Sequence, residues 1–150
     1  MDMVQALLEA VPFAKSLGIE IVAYTPNEVK LRLPLRPDLT NHMGTMHAAA
    51  QYALAETASG ALNLLIFGEQ LGNLLPLNRS AQIEYRRPSR GTLIAHGELG
   101  DEALQQVRDA FAAEGRAKFS TAVALYDESD LTTIVTTVTI EWVILKQRSK

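Results

Sequence analysis

The stretch NHMGTMHAAAQYALAETASGALNLLIFG, from Asn41 to Gly68, holds one carboxylate, Glu56, and no lysine, arginine or aspartate. Residues 46 to 66 are rich in alanine and leucine, both strong helix formers, and Gly68 supplies a stop. The run therefore predicts one long helix, apolar nearly all round. Such a helix cannot rest a single stripe on a neighbour, because it needs more than one wall to bury it. Its apolar part, Ala53 to Phe67, falls short of the roughly 20 residues that span a bilayer, and Glu56 sits inside it. Whatever else the chain does, it must build a container for this helix.

The rest of the sequence reads as the container. Met3 to Phe13 has helical spacing at Val4, Leu7, Leu8 and Val11, with Pro12 near its end. Ile19 to Thr25 is a strand that turns at Pro26-Asn27. Glu28 to Leu35 alternates Val29, Leu31, Leu33 and Leu35 with Lys30, Arg32 and Pro34. After the long helix, Ala81, Ile83 and Tyr85 alternate before Pro88, and Leu93, Ala95 and Leu99 follow the turn PSRG. DEALQQVRDAFAAEG predicts a short helix capped by Asp101 and ended by Gly115. Phe119 to Tyr126 and Leu131 to Leu145 close the chain as two strands around an acidic, solvated turn at Asp127, Glu128 and Asp130. In the last strand Ile134, Val138, Ile140, Trp142 and Ile144 share one face, against Thr133, Thr137, Thr139 and Glu141. The sum is an α+β domain over residues 1–150. About six strands, mostly antiparallel by their short connections, wrap one central helix, and a second copy buries what remains exposed. That is the hotdog architecture.

Composition narrows the function. A chain of 150 residues is one domain that buries roughly 70% of its unfolded surface. With a net charge of −3 there is no cationic field for nucleic acid. The absence of cysteine excludes disulfides, thiolate metal sites and cysteine nucleophiles. The opening segment carries Asp2 and Glu9 without a basic region, so it is not a secretory signal. A cytoplasmic protein without membrane contact is expected. No spacing of histidines and carboxylates suggests a metal, and no cofactor is called for.

Glu56 is the first candidate for chemistry. Its helical neighbours are Tyr52, Ala53, Ser59 and Gly60, which offer no basic partner. Ala53, Ser59 and Gly60 leave room for something to lie against that face. A carboxylate in an apolar cleft has its pKa raised into the range of a general base, whereas a solvated helix edge would leave it inert. The helix start is the second candidate. Asn41, Gly44, Thr45 and His47 precede backbone N–H groups of Ala48 and Ala49 that can bind a developing oxyanion, and Asn41 can hold a carbonyl or orient a water. Plain capping and loop closure account for the same residue types. His47 and Glu56 are nine residues apart, about 13 Å and half a turn on one helix. One helix cannot aim both at one atom, but a two-fold homodimer can, with composite sites at its interface. Asn78 and Ser80 are candidates for the pocket wall. Arg86, Arg87 and Arg90 gather at a strand end, where they meet nucleotide phosphates or simply guard a sheet edge. Trp142 reads as core.

The pattern N-x-x-G-T-x-H-A-A-A-x-x-x-L-A-E-T-A, Asn41 to Ala58, resembles the signature of hotdog-fold acyl-CoA thioesterases of the PaaI type, and the order of elements is similar over most of the chain. Asn41, His47, Ala48 and Glu56 fall on that family's motif positions. The resemblance implies hydrolysis of an acyl-CoA, with the coenzyme A moiety bound as part of the substrate and no separate cofactor. The acidic residue is then general base or nucleophile, and the N–H of residue 48 polarises the thioester carbonyl. A homodimer, with further pairing into a dimer of dimers, would follow. Two departures stand out: Ala48-Ala49 replaces a glycine pair, and the acid is Glu rather than Asp. The helix at Asp101 to Gly115 is an extra. Two other readings stay open. One is an acyl-CoA-binding hotdog without catalysis. The other is a hydroxyacyl-thioester dehydratase, suggested by the fourteen-residue interval from His42 to Glu56 but lacking the proline- and glycine-rich context.

Overall fold

The computed structural model describes residues 2–148. Six strands, β1 (Glu20–Thr25), β2 (Glu28–Leu33), β3 (Leu74–Tyr85), β4 (Leu93–Glu98), β5 (Arg116–Asp127) and β6 (Asp130–Lys146), form one sheet in the order β1-β2-β4-β5-β6-β3. Every neighbouring pair is antiparallel. The sheet curls round a helix, α3 (Ala48–Phe67), as the sequence requires. Leu54, Ala55, Ala58, Ala61 and Leu62 of α3 are fully buried against Val29, Leu31 and Leu33 of β2, Leu93 and Ala95 of β4, and Val138 and Ile140 of β6. No helix among the described residues is long and apolar enough to cross a membrane.

The departures from expectation have local causes. The first segment is two helices, α1 (Met3–Ala10) and α2 (Pro12–Leu17), because Val11 is pushed into extended backbone ahead of Pro12. Gly18, at φ 74°, stops the second. β2 ends at Leu33, before Pro34, rather than at Leu35. β3 begins at Leu74, seven residues before the alternation that announces it. Pro76 and the polar run Asn78, Arg79 and Ser80 mask its first half, and a bulge between Asn78 and Ser80 resets the register.

The extra helix is α4 (Asp101–Glu114), and Gly115 at φ 70° ends it as expected. Its N-cap is Gly100, not Asp101, whose carboxylate instead accepts from Asn27 Nδ2 at 3.2 Å. Leu104 and Val107 pack with Ile66, Phe67, Leu74, Ala117 and Ile144, so α4 closes the far end of the cylinder over the C-terminus of α3. The β5–β6 turn is exposed at Glu128 and Asp130, and Arg32 of β2 reaches Glu128 at 2.9 Å while also pairing with Glu20 of β1 at 2.8 Å. In β6 Thr136 is also buried, and its hydroxyl donates to Gln51 Oε1.

Candidate active site

α3 and β3 run antiparallel along a shared seam. At one end the Tyr85 hydroxyl donates to the Ala48 carbonyl at 3.1 Å. Further along, Asn78 Nδ2 donates to the Tyr52 hydroxyl at 3.2 Å. At the far end Phe67 and Leu74 share one apolar cluster. Glu56, half-buried, lies on this seam and is the one charged residue of α3. Burial pushes its carboxyl above the ordinary range, and a hydrogen bond with Asn78 partly offsets the rise. One turn on, a Cβ built at Gly60 would meet nothing within 4 Å, so the seam is open there.

The helix start is organised by caps. His47 is the N-cap of α3, and its Nδ1 accepts from the Ala49 amide at 2.9 Å. Ala49 is therefore not a free oxyanion donor, whereas the Ala48 amide finds no acceptor among the described residues. Asn41 Oδ1 accepts from the amides of Met43 (3.0 Å) and Thr45 (3.2 Å), and its Nδ2 donates to Thr45 Oγ1 at 2.8 Å. With Gly44 at φ 75°, these bonds hold the loop that aims the helix end. A groove of about 280 Å³ opens there, lined by Asn41, Thr45, Ala48, Tyr85, Arg86 and Arg87 among others.

The arginines divide. Arg86 and Arg87 both donate their backbone amides to Val135 O and stand at the mouth of the groove, with Arg86 also paired to Glu84 at 3.1 Å. Arg90 is exposed and lines no part of it. Two further expectations are corrected. Ser59 does not face the seam: its hydroxyl is fully buried between Thr121 and Trp142, whose Nε1 donates to it at 2.6 Å. Helical position alone could not say which side of α3 the sheet would claim. Ser80 lies on the outer face of the sheet, donating to Glu141 at 3.1 Å, because the bulge turns it away from α3. Tyr52, Asn78 and Glu56 do come together, and Trp142 is core at 5% exposed.

Sequence reading missed Tyr85, Ser89 and Gln51. Tyr85 looked like one more apolar alternator, and Ser89 like a turn residue. The Ser89 Oγ is in fact buried beside the groove and finds no partner among the described residues. Gln51 stays buried by donating to Met46 O at 3.0 Å. A histidine–carboxylate group absent from any linear spacing also forms. Glu28 and Glu98 face each other across β2 and β4, and His96 Nε2 lies 2.8 Å from Glu28. Lys30, at 3.7 Å from Glu28, supplies positive charge to that outer-face cluster.

Comparison with known proteins places this geometry in a family. The family model that matches, over residues 2–144, is DUF4442, a domain of unknown function. No match is found among curated proteins. A Pseudomonas aeruginosa protein of unknown function, named a probable thioesterase, superposes with a TM-score of 0.83 at 25% identity, covering 97% of this chain and 94% of its own. A Chlorobaculum tepidum protein of unknown function gives 0.85 at 22% identity, over 97% and 93%. A Haemophilus influenzae thioesterase gives 0.74 at 16% identity, over 97% and 92%. The chain belongs to the DUF4442 family and carries the fold of the hotdog thioesterases.

Proposed function

We propose that the protein hydrolyses acyl-CoA thioesters at sites shared between two copies of the chain. The observation that carries this reading is Glu56, the lone charge of a buried helix, raised in pKa by burial and lying near Asn78 beside open space. Ala48 and Glu56 are eight residues apart, about 12 Å along one axis, so a single copy does not bring amide and carboxylate onto one carbonyl. β3 lies at the edge of the sheet, and Asn78, Ala81 and Tyr85 remain exposed although they face the helix side. A second copy pairing along β3 would bring its own Ala48 amide towards Glu56 of the first.

Chemically, the ionised Glu56 takes a proton from water as the water oxygen bonds to the thioester carbon. The Ala48 amide of the facing copy receives the developing oxyanion. Collapse breaks the carbon–sulfur bond, and the leaving thiolate takes the proton back from Glu56. Arg86 and Arg87, at the mouth of the groove, suit the phosphates of the coenzyme.

Thiol release from a panel of aryl-, short- and medium-chain acyl-CoAs tests the reading. Glu56→Gln, folded by circular dichroism, should lose about 100-fold or more of the activity. Rates equal to wild type would remove Glu56 from the chemistry. One observation favours a second reading, an acyl-CoA binder without turnover: His47 occupies the Ala49 amide, so the helix start offers one donor rather than two. That protein would melt higher with acyl-CoA yet release no thiol.

A further inference from the structure

Asn63 is 1% exposed, and among the described residues neither its Oδ1 nor its Nδ2 has a hydrogen-bond partner. A buried amide normally finds partners, because leaving it unpaired carries its full desolvation penalty. The polar group one turn back cannot help, since the Ser59 hydroxyl is engaged by Thr121 and Trp142. The position of Asn63 is informative. It follows Glu56 by seven residues, about 20° short of two full turns and about 10 Å along the axis. It therefore stands on the Glu56 side of α3, past the open space at Gly60 and before Phe67 meets Leu74. An amide with both functions unused lies where a chain entering beside Glu56 and running along the seam would arrive.

We propose that Asn63 is a specificity-determining residue that selects acyl groups bearing a hydroxyl oxygen well away from the thioester, in preference to plain alkyl chains. A hydroxyl satisfies both halves of the amide, accepting from Nδ2 and donating to Oδ1, whereas an oxo group satisfies only Nδ2. A methyl end satisfies neither and leaves the amide buried and unpaired. Sites built to bond a substrate hydroxyl discriminate strongly against analogues without it. The proposal rests on the thioesterase reading for the identity of the ligand, while the unpaired amide is independent of it.

The test compares ω-hydroxyacyl-CoAs of roughly six to ten carbons with their unsubstituted counterparts, a range set by the axial span of about 10 Å. Wild type should favour the hydroxylated member by about tenfold or more in kcat/KM at the best chain length. Asn63→Leu, branched at the same carbon and free of polar atoms, should erase or invert that preference. Asn63→Ala serves if the leucine variant does not fold. Equal use of both series by wild type, or an unchanged preference in the variant, overturns the proposal. If no acyl-CoA is hydrolysed, the catalytic reading fails on its own, and calorimetry with thioether analogues of the same pairs decides this one. Tighter binding of the hydroxylated analogue, lost in the variant, supports it, and equal affinities overturn it.

Discussion

β2 and β3 face the same helix and end differently. In β2 every inward residue, Val29, Leu31 and Leu33, is completely buried. In β3, twice as long, only Leu74 is buried, and Asn78, Ala81 and Tyr85 stay exposed on the inner face. The difference is position in the sheet. β2 lies between β1 and β4, whereas β3 is an edge with one neighbour, β6. One wing of the sheet completes its contact with α3 inside a single chain, and the other does not. The candidate site lies under the unfinished wing, so the residues that stabilise the fold and those available for chemistry occupy opposite sides of one helix.

Truncation should expose this asymmetry most strongly. Leu31→Ala should cost about 2–5 kcal/mol in denaturant unfolding, as for a fully packed leucine, while Ile83→Ala on β3, only half-buried, should cost less than about 1.5 kcal/mol. Equal losses would erase the contrast. A smaller effect concerns Glu56 and stability. Because burial raises its folded-state pKa, the folded protein holds that proton more tightly than the unfolded chain. The residue therefore costs nothing below the ordinary carboxylate range, and it destabilises progressively as pH rises from that range through the raised value. Glu56→Gln should accordingly melt higher than wild type at neutral pH and match it in acid, a difference that thermal scans against pH would show. A variant less stable than wild type at neutral pH would contradict a desolvated carboxylate. The smallest effect belongs to Asn78, whose hydrogen bond lowers the Glu56 pKa against burial. Asn78→Ala should move the acid limb of the pH–rate profile to higher pH, and a shift in the other direction would mean that Asn78 does not bond the ionised form.

Much of this was legible before the fold. The all-round apolarity of residues 48–67 demanded a surrounding wall, and the alternation in β2 and β6 supplied one. Glu56 stood out because nothing near it in sequence could pair with it. The start of β3 did not stand out, since Pro76 and the Asn78–Ser80 bulge break the two-residue period on which recognition depends. Ser80 was misplaced by that bulge, and Ser59 because helical position does not say which side of α3 the sheet claims. A residue's face depends on what packs against it and on where a bulge resets the register.

The linear order of side chains by itself determined that one helix would be buried in an antiparallel sheet, because an apolar cylinder needs walls and the alternating strands joined by short connections supply them. It also determined that a single acid would ride on that cylinder. Tertiary structure alone decided the polar partners: Asn78 beside Glu56, Trp142 and Thr121 around Ser59, and none among the described residues for Asn63. Hydrogen bonds are short and directional, so they follow from which distant strand arrives beside the helix, and sequence spacing carries no record of that.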